Sequence, residues 1–301
     1  MAKVDVSELD IFYISYDEPN AEEHWADLLN KVPWAKRVHG VKGFDAAHKA
    51  CANQSETERF ITVDGDNIVM DDFFEQVLDV PDTDLDGNNI AESIFSWNAK
   101  NILNGLVYGN GGLKCWPTEY VKDMNTHEAA EDGEGMEFCW KLDYIQLNDT
   151  FSEVHQTASP FQAFRAGFRE GVKMSLDKNV RQAPKDLWWQ NYQRLLVWMT
   201  VGMDNPYGIH AIHGARTGCY LTMCTDWDIG QANEYRFFEK YWKFELHDDV
   251  KVDFYKDSIE LGKKINAEHE IDLPITPLSE AQSKFFKKVY LNTPRIMRKT
   301  R

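Results

Sequence analysis

Two aspartates separated by one glycine, Asp64-Gly65-Asp66, are the densest chemical feature of this sequence. They follow the apolar run Phe60-Ile61-Thr62-Val63, which is too short for a helix and reads as a buried strand. Residues i and i+2 of a strand point to one side, so both carboxylates can aim at one point, with Gly65 letting the backbone turn between them. Adjacent carboxylates repel unless a cation lies between them, and hard oxygen ligands suit Mg²⁺ or Mn²⁺. Two readings of the spacing stay open: a seat for a metal–diphosphate, or an Asx-rich turn after a strand.

Other residues carry chemistry at regular spacing. Arg165 and Arg169 lie one helical turn apart on a segment opened by Ser159-Pro160, an N-cap with proline at the first helical position. Such a pair is mildly unfavourable unless an anion joins it; otherwise it is a solvated face. His210 and His213 are three apart, a spacing that suits two ligands on one helical face, or two hydrogen-bonded core side chains. The segment 108–114 (YGNGGLK) is rich in glycine and reads either as a hairpin or wide loop, or as backbone held close to a ligand.

The elements that must position these groups alternate. Residues 9–15 read as a first strand, 21–32 as a helix, 35–41 as a second strand and 43–55 as a second helix. The strand ending in D-G-D closes this β-α-β-α-β order. Such alternation implies a parallel sheet with crossover helices, whose ligands bind beyond the carboxyl ends of the strands. Neither G-x-G-x-x-G nor G-x-x-x-x-G-K occurs where a dinucleotide fingerprint or a P-loop would need it. Residues 70–80 read as a short helix, 91–97 and 142–147 as strands, and 126–136 as an acidic surface loop. Helices are expected over 187–199, 209–224, 235–244, 254–265 and 280–291; the small residues of 209–224 suit close helix packing.

The net charge of −16 counts against a protein that coats nucleic acid non-specifically, though a local basic groove stays open. The tail from Lys284 is the exception: it is basic, and reads as a polyanion contact or a solvated end. Five cysteines, Cys51, Cys115, Cys139, Cys219 and Cys224, form no C-x-x-C pair and read as free thiols of a reducing compartment. No apolar stretch resembles a signal peptide or approaches the ~20 residues of a membrane span, so a cytoplasmic protein is expected.

Taken together, SYDEPN at 15–20, VDGDN at 63–67, YGNGGLK at 108–114 and SPFQAFRAGFREG at 159–171 resemble a bacteriophage group of GT-A glycosyltransferases related to the base J glucosyltransferase. These enzymes add sugar to hydroxymethylated pyrimidines in DNA. The general resemblance to the nucleotide-sugar half of GT-A enzymes covers about residues 8–115. It implies a GT-A-like α/β fold: a mixed, largely parallel sheet flanked by helices, with a nucleotide-sugar core over 1–155 and a mainly helical acceptor-side extension over 156–301. It also implies a UDP-sugar donor, Mn²⁺ or Mg²⁺, a modified-DNA acceptor and, for a phage protein, the host cytoplasm.

On that reading Asp64 and Asp66 hold the metal, with His213, or failing that His210, as a third ligand. Ser15, Tyr16 and Asp17 contact uridine, and His48 and Lys49 reach ribose or phosphate. Asp204 and Glu170 are the candidate general bases, and Trp97, Lys114, Arg165 and Arg169 the acceptor side. The rivals are transfer to protein or polysaccharide, a nucleotidyltransferase, and a binding or structural protein that keeps the fold without turnover.

Overall fold

The computed structural model describes residues 2–83, 87, 90, 93–109, 111–126, 144–177, 180–247, 252–269, 273 and 275–290. The first part of the chain runs β1 (Ala2–Asp5), β2 (Asp10–Ser15), α1 (Ala21–Lys31), β3 (Lys36–His39), α2 (Phe44–Gln54), β4 (Arg59–Asp64) and β5 (Asn67–Val69). It continues with β6 (Val77–Val80), β7 (Ile94–Asn101), β8 (Val107–Tyr108), β9 (Lys114–Pro117), α3 (Thr118–Lys122) and β10 (Tyr144–Val154). The main sheet has the order β3-β2-β4-β9-β7-β10-β5, with β8 on β7. β2 pairs in parallel with both β3 and β4, and β7 with β10, while β9 runs antiparallel between β4 and β7. This is the expected α/β class, a mixed sheet flanked by helices and followed by a mainly helical part, though the sheet is not largely parallel: β4-β9, β9-β7, β7-β8 and β10-β5 are antiparallel.

The central strands are apolar on both faces, which is why β4 reads as a continuous run. Ile11, Tyr13, Ile61 and Val63 pack on one face with Leu28 of α1. Phe12 and Phe60 pack on the other with Cys51 and Ala52 of α2. The sheet is thus covered on both sides, and ligand access is left to its edges. Residues 70–80 depart from expectation. A 3₁₀ turn over Asp71–Glu75 buries Phe73 and Phe74, and Val77–Val80 then forms a strand paired with β1, Ala2 opposite Val80.

The second part holds α4 (Pro160–Met174), the short pair β11 (Leu176–Asp177) and β12 (Val180–Arg181), α5 (Trp189–Trp198), α6 (Gly208–Cys224), α7 (Tyr235–Tyr241), α8 (Phe254–His269) and α9 (Glu280–Val289). The α4 start is as read: Ser159 Oγ accepts from the Gln162 N–H at 3.1 Å, with Pro160 at the first helical position. α4 and α6 lie backbone to backbone. A Cβ placed on Gly167 would sit 1.9 Å from the Ala211 carbonyl, and one on Gly214 2.1 Å from that of Phe164. Leu103, Leu106 and Tyr108 share a core with Trp198, Ala211 and Ala215, which ties this helical layer to the end of β7 and the β8 loop.

Candidate functional site

The register of β2 with β4, Ile14 opposite Asp64, brings the ends of both strands to one edge. There the D-G-D turn is clamped rather than merely exposed. The Gly65 carbonyl accepts from the Tyr13 hydroxyl at 2.8 Å, and His24 Nδ1 lies 3.1 Å from it. The Asp66 carbonyl accepts from the His155 N–H at 2.7 Å. Asp66 Oδ2 accepts from Gln156 Nε2 at 2.8 Å, and Gln156 Oε1 in turn accepts from the buried Asn101 amide at 3.2 Å. Glu18 approaches from the loop after β2: its Oε2 accepts from the Tyr16 N–H at 2.7 Å and lies 2.8 Å from where a Cβ on Gly65 would be.

The glycine-rich segment closes on the same turn. A Cβ on Gly112 would stand 1.9 Å from Asp64 Cγ, and one on Gly111 2.4 Å from the Ala99 methyl. Residues 111–112 therefore lie as bare backbone against the Asp64 carboxylate and β7, a close approach that only glycine permits. Both Asp64 and Asp66 are partly buried. Burial, then the charge of Asp64, pushes the Asp66 carboxyl up to about 7. Two hard-oxygen donors on one turn are chemically suited to a Mg²⁺ or Mn²⁺ ion. Among the described residues no three His, Cys, Asp or Glu side chains are grouped to hold a metal, so none of these residues joins Asp64 and Asp66 as a third ligand.

The remaining expected site residues divide in two. Ser15, Tyr16 and Asp17 stand on the D-G-D edge. Ser15 is buried, with its hydroxyl 3.0 Å from His39 Nδ1 and accepting from Arg37 Nε at 3.0 Å. Tyr16 is 46% exposed and lies edge-on to Tyr235 of α7, whose hydroxyl is 3.4 Å from Asp17 Oδ2. His48 is buried between Phe44 and Trp116, and its Nδ1 lies 2.8 Å from the Phe44 carbonyl. Burial holds its imidazole down at about 4, and the charge of Asp64 reaches it. It is a neutral wall of the site rather than a phosphate cation. Lys49 follows it on α2 and is half-exposed. Lys114, expected on the acceptor side, is buried on β9 beside β4 and donates to the Gly111 carbonyl at 2.7 Å, which braces the glycine segment from below.

Five residues lie elsewhere in the fold. Trp97 is core, packed edge-on against Phe73 at 4.9 Å. Glu170 is buried, with one oxygen accepting from the Tyr108 hydroxyl and the other from Lys173 Nζ at 2.6 Å. The Tyr108 hydroxyl also accepts from Trp198 Nε1 at 2.9 Å. Asp204 pairs with Lys287 of α9, Nζ to Oδ2 at 2.5 Å. Both carboxylates are thus engaged in holding the helical layer, which corrects the expectation that either is the general base. His213 lies between Phe164 and Phe254 with Ser258 Oγ 3.3 Å from its Nδ1, and His210 lies against Phe254 at 4.4 Å. His213 takes the alternative offered by their spacing, a buried core histidine on α6, while His210 is half-buried among aromatic rings.

Arg165 and Arg169 project from α4 as their spacing required. The Arg165 guanidinium stacks over Tyr235 at 4.9 Å and Phe238 at 5.7 Å. Burial and then Arg169 draw it down to about 10, against the opposing charges of Tyr235, Glu18 and Asp66. The basic terminus 291–301, Cys139 and most of the 126–136 loop lie outside the described residues. Cys51, Cys115, Cys219 and Cys224 are free thiols, as expected. Sequence reasoning missed Tyr13, Glu18, His24, Gln156 and His155. Gln156 is 90 residues from Asp66, and no local pattern couples them.

Among solved structures the chain is similar to the crystal structure of S. aureus TarS 1-349, at 13% identity and a TM-score of 0.33, over 81% of this chain and 95% of that chain. No family model matches the chain, and no curated protein matches it. Among the described residues no helix is long and apolar enough to cross a membrane.

Proposed function

We propose that this chain is a glycosyltransferase that uses Mn²⁺ or Mg²⁺ to move a sugar from a UDP-sugar to a hydroxymethylated pyrimidine in DNA. The observation that carries the reading is the Asp64–Asp66 pair on a clamped turn at the carboxyl edge of parallel strands, where α/β sheets bind their ligands. Asp64 and Asp66 would hold the ion. When bound, it would offset the charge that builds on the departing UDP. Tyr16 would offer its exposed ring to the uracil, with Asp17 and the buried Ser15 beside it. Lys49, half-exposed on α2, would reach the ribose or phosphate. Gln156 holds the Asp66 carboxylate and Tyr13 the Gly65 carbonyl between the two aspartates before substrate arrives, so that little reorganisation is needed at the moment of transfer.

The DNA acceptor rests on the motif resemblance over 15–20, 63–67, 108–114 and 159–171. One observation favours a second acceptor class. With a net charge of −16, approach of a polyanion is opposed unless a local basic surface receives it. A protein or polysaccharide acceptor meets no such barrier.

The test is incubation with a panel of UDP-sugars, Mn²⁺ or Mg²⁺, and duplexes with and without hydroxymethylated pyrimidines, followed by mass spectrometry of the digested nucleosides. The expected result is a hexosyl or pentosyl mass added only to the hydroxymethylated base. Sugar on a protein or glycan acceptor instead would move the acceptor. Pyrophosphate released from a nucleoside triphosphate would mark a nucleotidyltransferase. No product with any donor would leave a binding or structural protein.

A further inference from the structure

Two arginines on α4 are left without an acceptor in a chain that has carboxylates to spare. The sequence carries 49 acidic against 33 basic residues. Among the described residues, Nε of both Arg165 and Arg169 is buried and has no hydrogen-bond partner. Buried guanidinium N–H groups are nearly always paired, because desolvating a charged donor without an acceptor is costly. The two charges also repel one another across a single helical turn. Rotation of α4 cannot relieve them. Gly167 and Gly171, on its other face, lie against the Ala211 and Ala215 carbonyls so closely that a Cβ would stand 1.9 and 2.2 Å away. The helix is pinned with its arginines in place.

The position of the pair names its ligand. Arg165 is stacked on Tyr235, whose hydroxyl is 3.4 Å from Asp17 at the end of β2. The charges of Glu18 and Asp66 reach it, yet it bonds to neither carboxylate. We propose that Arg165 and Arg169 form an anion subsite for the diphosphate of the sugar nucleotide, beside the edge that carries Asp64 and Asp66; the assignment rests on the sugar-nucleotide reading above. Guanidinium forks match the paired oxygens of a phosphate, and two forks a turn apart match two phosphates. Arg165 lies beside Tyr235 and Asp17 at the edge assigned to the donor, which favours a diphosphate over a duplex backbone as the anion. The pair would then share the charge of the leaving group with Asp64 and Asp66 and the ion they would hold.

A ligand site of this kind has a signature that a structural ion pair lacks. Removing one arginine should weaken the ligand without weakening the empty protein, because the pair is unsatisfied when empty. The experiment is calorimetric titration of the full chain and its Arg169→Gln and Arg165→Lys variants with uridine, UDP, inorganic pyrophosphate and a hydroxymethylated duplex. Thermal midpoints are recorded without ligand. The expected result is a tenfold or greater loss of UDP and pyrophosphate affinity in both variants. Uridine affinity should stay within twofold, and the unliganded midpoint of Arg169→Gln should be unchanged or raised. Unchanged UDP affinity in variants that keep their midpoint overturns the assignment. So does loss of duplex affinity with UDP unaffected, which places the pair on the acceptor. Arg-dependent pyrophosphate binding without any UDP binding by the wild type keeps the anion subsite and overturns the sugar-nucleotide reading. Binding of neither overturns both.

Discussion

Gly112 shows how tightly single residues define the site. Its missing side chain is what lets the glycine segment lie on Asp64, since an added Cβ would stand 1.9 Å from the carboxylate carbon. Gly112→Ala must displace one or the other. Overpacking of this kind costs about 1–3 kcal/mol, so the thermal midpoint should fall by a few degrees. Donor affinity should fall with it, measured by UDP titration; wild-type values for both would show that the segment gives way freely. Gln156 acts on the second carboxylate. Gln156→Leu leaves Asp66 without its 2.8 Å donor and should lower kcat more than it raises the donor KM. A variant with wild-type kcat would remove Gln156 from the account. Spacing alone brought Asp64 and Asp66 to one strand end but left open whether they seat an ion or close an Asx-rich turn. Their supports were not legible: Tyr13, His24 and Gln156 read as an ordinary tyrosine, histidine and glutamine until the chain is folded.

The helical layer fails differently as a reading of sequence. The small residues of α6 announce close packing, and the structure shows α4 and α6 in backbone contact. Gly214→Ala, whose Cβ would meet the Phe164 carbonyl at 2.1 Å, should therefore destabilise by several kcal/mol or force the helices apart. Denaturant unfolding checks it, and a loss under about 1 kcal/mol would mean that the interface adapts. His213 belongs to the same interface. Burial first, then the charges of His210 and Arg216, draw its imidazole down to about 4, with Ser258 the polar neighbour from α8. Its folded pKa lies below the ordinary value near 6.5, so the unfolded chain binds the proton more readily. The neutral ring's contribution is intact above about 6.5 and is lost as pH falls toward 4. His213→Gln should flatten that part of the curve of midpoint against pH, and an unchanged acid limb would contradict the assignment. Glu170, Asp204 and Trp97 looked like site residues because a buried ion pair or core indole has the same letters as a catalytic one. Long-range pairing hid the strand at Val77–Val80 as well, since its partner is Ala2–Asp5 at the other end of the segment.

At the scale of the molecule, charge sets what can approach. A body carrying −16 repels duplex DNA, so a DNA acceptor needs a local basic contact, and the residues from 295 to 301 are the densest one in the sequence. Deleting them should weaken duplex binding and flatten its dependence on salt; an unchanged slope would free the tail from that role. The α/β class was legible because alternating apolar strands and amphipathic helices leave few architectures open, whereas the acceptor is not written in any such periodicity. The central claim is that Asp64 and Asp66 organise metal-assisted transfer from a UDP-sugar. It is tested most directly by UDP release from the active donor, with Mn²⁺ titrated, in wild type and Asp66→Asn side by side. Losing a metal-held charge contact removes several kcal/mol of barrier lowering, so the variant should fall by roughly two decades or more while its thermal midpoint holds. Wild-type turnover in Asp66→Asn with the same Mn²⁺ dependence, or no UDP released by the wild type from any UDP-sugar, would contradict it.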